Sequence, residues 1–128
     1  MEVYTDAARD DDIAAMAWRI VLDDGDTIED SRYITGNYTS MEAEYFALLD
    51  GLRIARRYGQ KVSVYTDCEP LVRKMRVPDD DLEWHERREG CHRLLQKFES
   101  WEMEWTPRSN NSRADRLAYE ALERGRRS

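Results

Sequence analysis

The sequence predicts an α/β protein: a mixed five-stranded sheet with helices on both faces, in the order βββαβααβα. Three observations carry this. The first 35 or so residues hold three β-patterned runs separated by Asp-rich turns. A capped helical pattern begins at Thr39. Beyond it, short apolar runs alternate with helical stripes, and connections through helices make the added strands parallel to their neighbours.

Residues 2–8 read as the first strand, and Asp10-Asp11-Asp12 as a turn. Residues 13–22 alternate, with Ala14, Met16, Trp18, Ile20 and Leu22 on one face, which predicts a long half-buried strand. Asp23-Asp24-Gly25-Asp26 is a hairpin turn of the Asp-Gly kind, and residues 27–34 come next as a polar third strand. These three strands form an antiparallel meander. Thr39-Ser40-Met41-Glu42 matches a capping box, with Thr39 as N-cap and Glu42 reaching back. The helix it opens runs to about Tyr58 and stops at Gly59.

Lys61 to Thr66 is a short apolar strand, and Pro70 suits the first turn of a helix over 69–75. Val77-Pro78-Asp79-Asp80-Asp81 ends that helix. Trp84, Cys91, Leu95 and Phe98 mark a helical stripe over 83–100. Trp101, Met103 and Trp105 alternate with Glu102 and Glu104, a strand with one dry face. Trp18, Trp101 and Trp105 are therefore expected to pack. Pro107 to Asn111 is loop, and residues 112–125 form a closing helix ending in Arg124, Arg126 and Arg127.

With 128 residues, no Pro/Gly/Ser linker and no long repeat, residues 1–128 are expected to form a single domain. The chain enters a strand at Val3, so no basic or apolar leader is expected, and no run approaches the ~18 apolar residues of a membrane span. Two cysteines, Cys68 and Cys91, fit a reduced cytoplasmic protein at least as well as one disulfide. The net charge is −7. That argues against a generic nucleic-acid binder relying on broad electrostatic grip. Three lysines stand against seventeen arginines, and an acidic, lysine-poor surface is common in high-salt cytoplasm, so a halophilic source is expected. His85 and His92 lie two helical turns apart, too far to chelate one ion, and are read as structural or surface residues.

Four carboxylates do not fit as surface charge. The tetrapeptide Val-Tyr-Thr-Asp occurs twice, closing on Asp6 and on Asp67. If those strands are parallel neighbours, both acids lie side by side at the carboxyl ends, where open α/β sheets place their sites. Glu44 shares the apolar stripe of its helix with Met41, Leu48, Leu52 and Ala55, whereas Glu42, Asp50, Arg53 and Arg57 lie outward. A carboxylate on a core-facing stripe must be paired, protonated or bound to metal. Asp115 stands in the first turn of the last helix, where an acid also suits the helix dipole. Several clustered carboxylates need a cation to stay ionised, and an all-oxygen donor set points to Mg²⁺ or Mn²⁺.

Val-Tyr-Thr-Asp6, then Thr39-Ser40-Met41-Glu42-Ala43-Glu44-Tyr45-Phe46-Ala47-Leu48, then Val64-Tyr65-Thr66-Asp67-Cys68, then Asn111-Ser112-Arg113-Ala114-Asp115-Arg116-Leu117-Ala118 together resemble a type 1 ribonuclease H, over essentially the whole chain. The resemblance implies that fold and a hydrolase, an endonuclease cutting the RNA strand of RNA–DNA hybrids with one or two divalent ions. It implies Asp6, Glu44, Asp67 and Asp115 as catalytic metal ligands, and Thr39, Ser40, Arg108 and Asn111 as substrate contacts.

Several positions depart from the family pattern. The glycine-containing segment after the first acid is replaced by Ala7-Ala8-Arg9-Asp10-Asp11-Asp12, three acids near the phosphate path. Ser40-Met41 stand where the family often has Asn-Asn, and Cys68 stands where it has Ser. The loop before Asp115, Pro107 to Asn111, holds no histidine, as in many archaeal-type members; Arg108 is the substitute, able to steady phosphate but not to act as base. The basic protrusion of some members is absent. Three readings are open: a hybrid-specific nuclease, one that also cuts double-stranded RNA, and a binding or interaction module of the same fold with little turnover. A monomer is expected.

Overall fold

The computed structural model describes residues 1–78 and 80–128. β1 (Glu2–Asp10) and β2 (Ile13–Val21) pair antiparallel through a turn at Asp11-Asp12, and β3 (Thr27–Thr35) pairs antiparallel with β2. Gly25 takes φ +92 in the turn between β2 and β3, a conformation L side chains rarely adopt. Next come α1 (Ser40–Ala55), β4 (Lys61–Thr66), α2 (Glu69–Arg76), α3 (Leu82–Leu95), β5 (Ser100–Trp105) and α4 (Ser112–Arg127). The strand order is β3-β2-β1-β4-β5, with β4 parallel to β1 and β5 parallel to β4.

Period-two alternation divides the sheet's side chains between two layers. Val3, Ile20, Val62, Val64 and Met103 pack with Leu48, Leu52, Leu71, Met75, Cys91 and Leu95 of α1, α2 and α3. On the opposite face Ile13, Ala15 and Ala17 meet Leu117, Ala118, Ala121 and Leu122 of α4. At Gly51 a Cβ would lie 2.9 Å from the Thr5 methyl and 3.1 Å from Val3, so this glycine lets α1 close on β1 just below the acids.

Three expectations are corrected. β2 is not half-buried in its first half: Ile13 through Ala17 are all buried, because α1 covers Ala14 and Met16 while α4 covers Ile13, Ala15 and Ala17. The helical stripe over 83–100 breaks at Leu95, where Gln96 caps α3 and a turn carries buried Phe98 back towards the sheet. β5 has no continuous dry face. It is an edge strand, Met103 alone is buried, and Trp101 and Trp105 are 39% and 50% exposed. Trp101 makes a T-shaped contact with His92, which hydrogen-bonds the Met75 carbonyl at 2.8 Å. Trp18 is half-buried against the core. Asp79, part of the expected helix break, lies outside the described residues. Among the described residues no helix is long and apolar enough to cross a membrane.

Candidate metal-dependent active site

The parallel register pairs Tyr4 with Tyr65 and Thr5 with Thr66, so Asp6 and Asp67 emerge side by side. The two tyrosine rings stack at 5.2 Å directly below them. Glu44 comes from the buried stripe of α1, two turns N-terminal to the close approach at Gly51. One oxygen from each of Asp6, Glu44 and Asp67 falls within 4.8 Å of the others.

This cluster is held but not neutralised. The Ala7 amide donates to Asp6 Oδ1 at 2.9 Å and to Glu44 Oε1 at 3.2 Å. Glu44 Oε2 is buried and accepts nothing. Burial first, then the charge of Asp67, pushes the Asp6 carboxyl up to about 7. Burial, and then Asp6, pushes Glu44 up to about 10. The two carboxyls lie close enough that each opposes the ionisation of the other. A divalent cation would satisfy the orphaned oxygen and offset the repulsion. The donor set, oxygen only, fits a hard ion.

Asp115 is delivered by the first turn of α4 and stands 44% exposed, outside the three-acid group. It is nevertheless near enough to help raise the Asp6 carboxyl. Arg108, in the turn Arg108–Asn110, reaches Asp115 Oδ1 at 3.4 Å and otherwise projects to solvent. Three of the four expected acids therefore border one space, with Asp6 and Glu44 as floor and Asp67 as rim, and Asp115 stands outside that group on the Asp6 side.

The expected substrate contacts fare differently. Thr39 spends its hydroxyl on the Glu42 amide, while its own amide donates to Glu42 Oε1, the reciprocal capping box. Ser40 is exposed at the head of α1. Asn111 is corrected: it is 1% exposed and its Nδ2 donates to the Thr5 carbonyl at 2.9 Å, so it faces the protein interior rather than a substrate. Glu42 and Asp50 are not solvated either, because Arg87 of α3 binds Glu42 at 2.7 Å and Arg32 binds Asp50 at 2.6 Å. Asp10 is engaged by Arg126 at 2.8 Å, so of the three turn acids Asp11 and Asp12 are the solvated pair. Burial raises the Cys68 thiol to about 11, which keeps it protonated and unsuited as a nucleophile.

Arg87 was not singled out from sequence. It joins Glu42 and Glu83 and lies 4.7 Å over the Trp84 ring, tying the head of α1 to α3. Its signal was the four-residue spacing from Glu83 on one helix.

The Reverse transcriptase-like family model matches residues 4–121. The crystal structure of RNase H1 from the halophilic archaeon Halobacterium salinarum NRC-1 is similar at a TM-score of 0.85 and 30% identity, over 95% of this chain and 96% of that one. The chain belongs to the type 1 ribonuclease H family. A second member, LC11-RNase H1 in complex with an RNA/DNA hybrid, is similar at a TM-score of 0.81 and 28% identity, over 97% of each chain. The curated Ribonuclease HI of Halobacterium salinarum is 31% identical over 113 residues, 86% of this chain. This chain spans 57% of the length of that relative.

Proposed function

We propose that this chain is an endonuclease that hydrolyses the RNA strand of RNA–DNA hybrids with one or two divalent ions, Mg²⁺ or Mn²⁺, held by Asp6, Glu44, Asp67 and Asp115. The observation that carries this is the convergence of Asp6, Glu44 and Asp67 within 4.8 Å around a buried carboxylate oxygen that no protein group satisfies. The hybrid bound by a family member of the same fold supports the substrate. When bound, such an ion supplies charge to the phosphoryl oxygens and lowers the pKa of an attacking water.

The chain's own residues supply the rest. The Ala7 amide fixes the ligand oxygens of Asp6 and Glu44 before substrate arrives. The capping box leaves the Ser40 hydroxyl at the exposed head of α1, available to a sugar or phosphate oxygen. Arg108 lies over Asp115 on the open side, where a permanent positive charge suits the scissile phosphate and the departing strand end. No protein nucleophile is needed, which agrees with the protonated Cys68. The acidic, lysine-poor composition supports a monomer working in a cytoplasm of high salt.

The test offers labelled RNA–DNA hybrid, double-stranded RNA, single-stranded RNA and DNA duplex, with Mg²⁺, Mn²⁺ or EDTA, at low and multimolar KCl. Cleavage of the hybrid's RNA strand with metal and not with EDTA is expected, with DNA duplex intact. Failure to cut hybrid with either ion at any salt concentration would overturn the reading, and equal cutting of double-stranded RNA would widen the substrate.

A further inference from the structure

The segment from Thr106 to Asn111 joins β5 to the helix that carries Asp115, and it is pinned at both ends. The Thr106 amide donates to the Thr66 carbonyl at 2.9 Å, and Asn111 Nδ2 donates to the Thr5 carbonyl at 2.9 Å. Thr5 and Thr66 are partners in the last register pair of the β1–β4 ladder, and each immediately precedes an acid of the site. Both pins thus fall one peptide unit from Asp6 and Asp67.

Asn111 is unusual for a residue at the head of a helix. Such residues normally give a side-chain oxygen to the first helical amides. Asn111 makes no such bond, with φ −119 and ψ 18. It turns its amide onto the neighbouring strand instead, and its Oδ1 stays buried without a protein partner. That arrangement forgoes a cap and leaves a buried acceptor unmet, both of which cost stability. What it secures is geometric. The Asn111 carbonyl accepts the Asp115 amide at 3.0 Å, so one residue connects the peptide before Asp6 to the peptide of Asp115.

We infer that Asn111 is a positioning residue, whose buried side chain sets the place of Asp115 relative to Asp6. The inference deepens the hydrolytic reading above and rests on it. Asn111 touches neither substrate nor metal; it acts through Asp115.

The experiment compares wild type with Asn111→Asp, which keeps the shape but sets an oxygen against the Thr5 carbonyl, and Asn111→Ala. A control, Leu122→Ala, loosens the far end of α4, where Leu122 is buried. Below each variant's melting temperature, kcat and KM are measured on hybrid, Mn²⁺ affinity by calorimetry, and Asp115 amide exchange by NMR. Both Asn111 variants should lose about ten- to hundredfold in kcat and in Mn²⁺ affinity, as supporting residues of metal sites do, with KM little changed. The Asp115 amide should exchange faster while Val64 in β4 stays protected. Leu122→Ala should melt earlier yet keep kcat and Mn²⁺ affinity.

Folded Asn111 variants with wild-type kcat and Mn²⁺ affinity would overturn the inference, as would equal losses in the Leu122→Ala control. Should both Asn111 variants unfold, the wild-type side-chain amide of Asn111 decides. It should be protected from exchange and its resonance should move on Mg²⁺ addition; solvent-like exchange, or no shift, overturns the inference. If wild type cuts no hybrid, the hydrolytic reading falls, and the Mn²⁺ and exchange measurements still judge Asn111.

Discussion

Asp6 and Asp67 each close a Val-Tyr-Thr run, on strands that lie side by side in register, yet one is floor and the other rim. β1 is central, flanked by β2 and β4, and continues past Asp6 to Asp10. Asp6 is therefore a mid-strand residue, paired opposite Ala17 and 4% exposed. β4 ends at Thr66, the chain turns into α2, and Asp67 is left half-buried at the mouth. The shared tetrapeptide sets the direction of both side chains. The path of the chain beyond each aspartate sets its solvation, and solvation sets its chemistry.

The largest expected effect is on turnover. Glu44→Gln and Asp67→Asn each keep a ligand's shape and remove its charge, and each should lower kcat by about a hundredfold or more. The pair then separates on stability. Without metal, Glu44→Gln should melt well above wild type, because it removes a buried group whose ionisation is opposed by burial and by Asp6. Asp67→Asn should melt at or slightly above the wild-type temperature. Thermal melts in EDTA check this, and a reversed ranking would exchange floor and rim.

Next comes pH. Asp6 and Glu44 are both raised in the folded protein, so the folded state holds protons that the unfolded state releases. Their destabilisation is absent below about pH 4, where both states are protonated. It accumulates as pH rises from there through about 7 for Asp6, and onward towards about 10 for Glu44. Metal-free wild type should therefore lose stability steadily between pH 4 and 8 from this source. Asp6→Asn should reduce that slope and leave the part that burial of Glu44 imposes, and Asp67→Asn should leave most of it. Denaturant unfolding across pH in EDTA reads the difference.

A smaller effect separates the two glutamates of α1. Glu42→Gln keeps an oxygen for the Thr39 amide but loses the charge that Arg87 binds. It should cost about 1 kcal/mol or less in stability and about threefold or less in turnover. A loss matching that of Glu44→Gln would mean that the outer face of α1 holds the chemistry.

The smallest effect concerns salt. With Asp10 engaged by Arg126, only Asp11 and Asp12 stand free to repel phosphate. Replacing both with serine should lower KM about twofold near 0.1 M salt, and not at ~1 M, where screening shortens to about 3 Å. Wild-type cleavage should persist or rise into multimolar KCl. Monotonic loss of activity with salt, identical in the variant, would remove both the high-salt habitat and the role of this turn.

The legible parts were those with a period or a cap. The stripe of α1 pointed to Glu44 over Glu42, and the structure puts Glu44 beside Asp6. Thr39 and Glu42 form the reciprocal cap their spacing promised. The features that eluded the sequence depend on how far the covering layers reach. Trp101 and Trp105 alternate as a buried face would, but β5 is the sheet edge and the helices extend only over Met103. Alternation along β2 shows one face, whereas the small Ala15 and Ala17 admit α4 on the other. Asn111 read as a loop residue open to substrate, since no local pattern announces a side chain bonded to a strand a hundred residues away.

Calorimetric titration of Mn²⁺ into wild type and Glu44→Gln near pH 7, in buffers of different ionisation enthalpy, tests the central claim most directly. Wild type should bind Mn²⁺ with release of protons, because burial and mutual repulsion raise both Asp6 and Glu44 in the metal-free protein. Glu44→Gln should bind more weakly and release fewer protons. Binding without proton release, or binding unaffected by Glu44→Gln, would contradict a metal centre built on the buried pair.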